Sequence, residues 1–182
     1  TEPGVTAGPT SQGFNTRLGE YAGPVSPADY PPDVVTREVT PNLDTYVDPG
    51  TGDDVITLGN GGAVVQMAAD IPGFDYADYV SRTTGGMHDY PPGGNPGGVE
   101  WRRILALPVA DCTGDETGQS TLDVEGFACF FMLQRISGGP EKNIYGQFVD
   151  GCLAGGAAGP NPGSGPGPYL IQLYKDPDSG DS

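Results

Sequence analysis

A single histidine, His88, three cysteines, and 24 acidic residues against 8 basic ones set the chemistry open to this chain of 182 residues. A Ser/His/Asp or Cys/His arrangement needs a base held by a third group, and only one imidazole exists to serve. It stands in Gly85-Gly86-Met87-His88-Asp89, a glycine-rich stretch that reads as an ordinary loop. Glycoside hydrolysis asks instead for two carboxylates flanking one bond. Acidic residues are abundant, but only Asp123 and Glu125 stand, weakly, in an apolar strand context that would shift a pKa. The Gly-rich segments lack the order strand, glycine loop, helix, and no lysine sits at P-loop spacing, so they read as loops and linkers rather than phosphate cradles.

Metal chemistry has few ligands to draw on. Cys112, Cys129 and Cys152 show no CxxC spacing, and with one histidine a zinc site would be short of donors. Cys112 and Cys152 each end a strand-like segment, while Cys129 lies mid-run among aromatics. In an oxidising compartment this placement suggests a Cys112–Cys152 disulfide with Cys129 left as a buried thiol, the other two pairings remaining open to the sequence. Oxygen ligands for calcium occur near turns at Asp48, Asp53 and Asp54 and again at Asp176, Asp178 and Asp181. Neither group has the twelve-residue spacing with a closing glutamate, and plain acidic turns account for both. No cofactor is expected beyond that open calcium question.

The elements that would position these residues are short. With 31 Gly and 19 Pro, long helices are nearly excluded and brief strands between irregular loops become the default. The expected fold is mainly β: an antiparallel sheet or sandwich with long Gly/Pro-rich loops, extended arms and at most one short helix. Residues 1–32, with six prolines, read as an extended arm holding no regular element longer than a few residues; residues 33–152 read as the β-rich core domain. Short strands are expected at Asp33 to Val39, Asp54 to Leu58 and Ala63 to Met67, the last two joined by the hairpin signal Asn60-Gly61. The helix is expected at Asp75 to Thr83, with Gly85 as terminator.

The core sheet is expected from Arg103 to Val109, Gly126 to Gln134 and Ile144 to Val149, paired as an antiparallel meander. In Phe127-Ala128-Cys129-Phe130-Phe131-Met132-Leu133 both alternate faces are apolar, as in a strand covered on both sides, so Phe127, Phe130, Phe131, Leu133 and Phe148 are expected to be buried. Residues 153–168 are a Gly/Pro linker, and residues 169–182 are a tethered strand with an acidic tail. The strand, Tyr169 to Tyr174, carries Leu170, Ile171 and Leu173 and is expected to pair with an open sheet edge, in its own molecule or another. Asp29-Tyr30-Pro31-Pro32 recurs as Asp89-Tyr90-Pro91-Pro92. The plainer reading is a tyrosine packed over rigid Pro-Pro; the functional one is an exposed aromatic patch at Tyr30 and Tyr90.

The formal charge of −16 repels nucleic acid and anionic membrane surfaces. No apolar run in the sequence is long enough to span a bilayer. The chain opens at Thr1 with a turn-rich stretch, from which an upstream segment, removed or lying outside the sequence, is expected to have held any anchor or export signal.

Several blocks together resemble the C-terminal part of TadG/TadE-like proteins of the Flp (tight adherence) pilus system. They are Gly8 to Gly19, Ser26 to Asp33, Arg102 to Cys112, Gly126 to Gln134 and Tyr145 to Cys152, with a similar tail from Gly165 to Ser182. The resemblance covers about half of the chain and brings no catalytic residues. It implies a prepilin-like membrane helix upstream, a long extracytoplasmic region and a bacterial surface or pilus-associated product. The Asp-x-Ser-x-Ser metal motif that some members carry is absent from this sequence. The expected function is therefore a non-enzymatic structural or adhesive component of a pilus or extracellular filament, processed from a membrane-anchored precursor. Its partners would be pilus or filament subunits, with self-association through the C-terminal strand, and its location extracellular, at the cell surface or in the periplasm. The alternatives are a carbohydrate-binding or calcium-dependent adhesin and, last, an extracellular hydrolase.

Overall fold

The computed structural model describes residues 7–66, 68–110, 124–137 and 143–149. Two antiparallel sheets carry the architecture: a hairpin of β1 (Leu43–Val47) and β2 (Asp54–Leu58), and a meander of β3 (Ile104–Ala110), β4 (Val124–Met132) and β5 (Gly146–Val149) in the order β3-β4-β5. Two short helices, α1 (Ala7–Asn15) and α2 (Tyr76–Thr84), complete the described elements beside two single-turn 3-10 segments. The fold is mainly β and loop, as composition implies, with one helix more than the sequence suggests.

That extra helix lies in the stretch read as an extended arm. Pro9 is the third residue of α1, inside the first turn, where a backbone N–H has no intrahelical acceptor to lose. The helix runs into a 3-10 turn at Thr16–Leu18 that Gly19 closes at φ 77, and Asn15, Thr16 and Leu18 are buried. Asn15 accepts from Ile136 N–H at 2.8 Å and donates to Ile136 C=O at 3.0 Å, so a side-chain amide replaces a neighbouring strand. Gln134 does the same for Leu43, accepting its N–H at 2.6 Å and donating to its C=O at 2.9 Å. These two amides tie the N-terminal segment and the small hairpin to the chain that follows β4.

Helix α2 forms where expected. Asp75 caps it, accepting from Asp78 N–H, and the Asp78 carboxylate accepts from Asp75 N–H in return, which satisfies two donors the helix start leaves free. The β2 limits agree with the expected strand, whereas β1, split by Asp44 and running into the acidic turn, is not among the strands the pattern predicts. Asp33 to Val35 and Val39 are buried, yet Asp33 to Val39 is not a strand. Asp33 makes one parallel bridge to Val99, and the backbone groups that follow go to scattered partners such as Asp89, Tyr90 and Leu133. The segment from Ala63 makes one bridge, Thr57 to Val64, beyond the Asn60-Gly61 turn; residue 67 of that run lies outside the described residues.

The meander pairs as expected, with Phe131 opposite both Ile104 and Gln147. Alternation along β4 sends Phe131 and Leu133 into the main core with Val34, Val35, Phe74 and Tyr79. Phe130 and Met132 face a smaller cluster with Leu18. Phe127 and Phe148 overturn the burial expectation: they are 52% and 73% exposed. Both covering layers stop short of them, because the β3–β4 ribbon continues past the core and β5 is a four-residue edge. Cys129 also departs from expectation, being half-buried and disulfide-bonded rather than a free thiol. The expected Cys112–Cys152 pair lies outside the described residues.

Candidate interaction surface

The most concentrated polar chemistry is sealed inside the protein. Arg103, fully buried, donates through its guanidinium to the carbonyls of Val35, Arg37, Met132 and Leu133. Its charge lies over three rings, 4.8 Å from Phe131, 5.1 Å from Phe74 and 5.6 Å from Tyr79. Beside it the Asp33 carboxylate accepts from Tyr79 O–H at 2.7 Å, Val35 N–H at 2.8 Å and Arg103 N–H at 3.1 Å. Burial pushes the Asp33 carboxyl above the usual carboxylate range despite these bonds. Burial, then the neighbouring carboxylate, pushes the Tyr79 phenol far upward, and burial draws the Arg103 guanidinium down to about 10. Every member of the cluster is solvent-inaccessible, so it touches no substrate. It fixes the strandless segment 33–39 against β4 by supplying donors to carbonyls that no ladder satisfies.

The two Asp-Tyr-Pro-Pro loops come together. Val34 C=O accepts from Asp89 N–H and Tyr90 N–H, and Val99 N–H donates to Pro32 C=O. They meet at Gly98, where a Cβ would lie 2.1 Å from Tyr90 O and 2.8 Å from Val34 Cα. Tyr90 packs on Gly19 and is half-buried, whereas Tyr30 is 45% exposed. An open cleft of about 580 Å³ beside them is lined by Thr36, Arg37, Arg82, Asp89 and Tyr90. The Asp89 carboxylate there accepts from Thr36 N–H and Arg37 N–H, so it is engaged in holding the backbone.

Among the described residues the polar candidates the sequence offers for catalysis or metal binding do not converge. His88 hydrogen-bonds the Thr83 carbonyl at 2.9 Å in its loop. Asp48 accepts from Gly50 N–H at 2.7 Å and shapes the hairpin turn. Among the described residues no three His, Cys, Asp or Glu side chains come together to hold a metal. Asp176, Asp178, Asp181, Tyr169, Leu170, Ile171 and Leu173 lie outside the described residues, as do Cys112, Cys152 and Asp123. Among the described residues no helix is long and apolar enough to cross a membrane.

What remains is apolar surface on the sheets. Phe148, Phe127 and Val109 are exposed on the meander, and Val47, Ile56 and Tyr46 on the hairpin. Between β5 and the hairpin runs a groove of about 400 Å³, lined by Leu43, Ile56, Val65, Ile71, Ile144 and Phe148 among others. Among the described residues β5 is the outer strand of its sheet. Leu133 N–H donates to Tyr145 C=O, and antiparallel alternation from that bond turns Gln147 and Val149 toward β4 and leaves Gly146 and Phe148 to face outward. The candidate site is thus an open strand edge with an apolar trough beside it. Sequence patterning pointed to Phe148 as core; the shortness of β5 was the missing fact.

No protein-family model, curated protein or solved structure matches this chain.

Proposed function

We propose that this chain is a non-enzymatic structural or adhesive component of a bacterial pilus or extracellular filament, derived from a membrane-anchored precursor and acting outside the cytoplasm. The observation that carries the reading is the apolar surface left on both sheets, with Phe148 73% and Phe127 52% exposed beside a β edge that has no neighbour among the described residues. Surfaces of that kind are costly in a lone soluble protein and are ordinarily covered by a partner. The polar cluster that would be the natural place to look for catalysis is closed to solvent and fully used in packing. The disulfide at Cys129 agrees with an oxidising compartment, and the acidic surface suits solubility there.

The test is assembly of the oxidised chain, followed by light scattering and electron microscopy, alone and with surface filaments sheared from a bacterium that makes it. Concentration-dependent oligomers or co-sedimentation support the reading, and Phe127→Asp with Phe148→Asp then weakens them. A strictly monomeric chain that binds no filament overturns it. A second reading, a carbohydrate-binding adhesin, draws on the cleft beside the second Tyr-Pro-Pro loop, where Tyr90 stands near Arg37 and Arg82. Glycan-array binding lost in Tyr90→Ala would favour that reading instead.

A further inference from the structure

We infer that the trough between the outer edge of β5 and the β1–β2 hairpin is the receptor for the chain's own C-terminal segment, Tyr169 to Tyr174, which adds a strand to β5 in the same molecule. This does not depend on the filament reading and would hold for a monomer. The first argument is where the chain goes. It leaves the described fold at Val149, the last residue of β5 and the neighbour of Phe148, which lines the trough. The connection, residues 150–168, is long enough to turn back and lay a strand along β5 in either direction, even where its prolines hold it extended.

The second argument is pattern. In Tyr169-Leu170-Ile171-Gln172-Leu173-Tyr174, alternation puts Tyr169, Ile171 and Leu173 on one face and Leu170, Gln172 and Tyr174 on the other. One face is wholly apolar or aromatic and the other carries the polar group, the pattern of a strand with one side buried. The trough offers what such a face needs: Ile56, 43% exposed, and Ile144, 38% exposed, with Val65 and Ile71 between sheet and hairpin. The outward backbone groups of Gly146 and Phe148 offer ladder partners. Across the described residues the other free edge of the meander is β3, which carries Pro108 and is the poorer acceptor of an added strand.

The third argument is concentration. A segment joined to the receptor by a tether of 19 residues meets it at an effective concentration of order millimolar, well above that of a second copy in dilute solution.

The experiment uses the full oxidised chain with methyl-labelled Ile, Leu and Val. Nuclear Overhauser contacts are expected from the Ile171 and Leu173 methyls to those of Ile56 and Ile144, and they persist in a sample mixed with unlabelled chain, as intramolecular contacts must. Ile171→Asp with Leu173→Asp, outside the folded core, should abolish the contacts and speed amide exchange at Gly146 and Phe148 by about ten-fold or more, with exchange in β3 and α2 unchanged. Absence of the contacts in the unmodified chain overturns the inference. So does their appearance only between differently labelled molecules, which would make a second copy the donor. Filament formation, measured separately, bears on the proposed function and not on this result.

Discussion

Replacing Cys129 by serine should cost the protein about 3 kcal/mol, and the bond it breaks should be the one to Cys152. The pairing follows from strand register. Ala110 lies opposite Val124, and Cys129 lies five residues further along β4, about 17 Å away at ordinary strand rise. Cys112 is two residues past Ala110, so even a chain doubling straight back leaves its Cα about 10 Å from that of Cys129. A disulfide needs Cα atoms within about 7 Å. Val149, by contrast, pairs directly with Cys129, and Cys152 follows after Asp150-Gly151, a sequence suited to an immediate turn. Closing the loop of about 20 residues between Cys129 and Cys152 removes roughly 3 kcal/mol of unfolded-chain entropy. Peptide mapping under non-reducing conditions should yield a Cys129–Cys152 peptide, and urea unfolding of Cys129→Ser and Cys152→Ser should show equal losses with Cys112→Ser near neutral. A Cys112–Cys129 peptide would refute the register argument, and a loss below about 1 kcal/mol in both variants would refute the entropy argument.

Arg103→Met should destabilise the chain by about 3 to 5 kcal/mol, because four buried carbonyls lose their donors and Asp33, which keeps the Arg103 backbone N–H, loses the neighbouring positive charge; soluble yield and urea unfolding report it. Tyr79 carries an upward-shifted phenol, so the folded state keeps a proton that the unfolded chain releases near pH 10.0; its contribution to stability is whole below that pH and falls as pH rises above it. Ultraviolet titration should therefore find Tyr79 ionising only with unfolding, and a reversible phenolate in the native state would contradict this. Asp75→Ala removes the cap of α2 and should cost about 1 kcal/mol by denaturant melt. Gly98→Ala places a methyl against Tyr90 O and should cost about 2 kcal/mol or more, read the same way.

The parts of the fold that were legible in the sequence are those where pattern and punctuation act locally. Phe130 to Leu133 alternates toward two apolar clusters, so β4 and its antiparallel neighbours could be read from side-chain chemistry alone. Asp75, the apolar spacing after it and Gly85 likewise announce α2. Pro9 misled because a proline forbids the middle of a helix and not its first turn. The run from Val34 to Val39 misled for a different reason: β-branched residues signal burial, and here the burial is supplied without a ladder. What replaces the ladder is Arg103, whose donors reach carbonyls on two separated segments, and no local window of sequence contains that relation.

The same distinction bears on the candidate surface. Hydrophobicity at Phe127 and Phe148 was read as interior because, in a strand, apolar character ordinarily marks what must leave water. The pattern does not say whether the covering layer comes from the strand's own neighbours, from a distant part of the chain or from another molecule. Here the covering layer among the described residues ends at Phe130 on one face and Phe131 on the other, and Phe127 and Phe148 lie beyond it on opposite faces of the ribbon. A strand added at the β5 edge reaches the Phe148 side, next to Ile144 and Ile56. Phe127, standing opposite Pro108 on the other face, is not served by that addition. One tethered strand therefore cannot cover both rings, and Phe127 is the residue to expect in contact with a partner even in a molecule whose trough is filled.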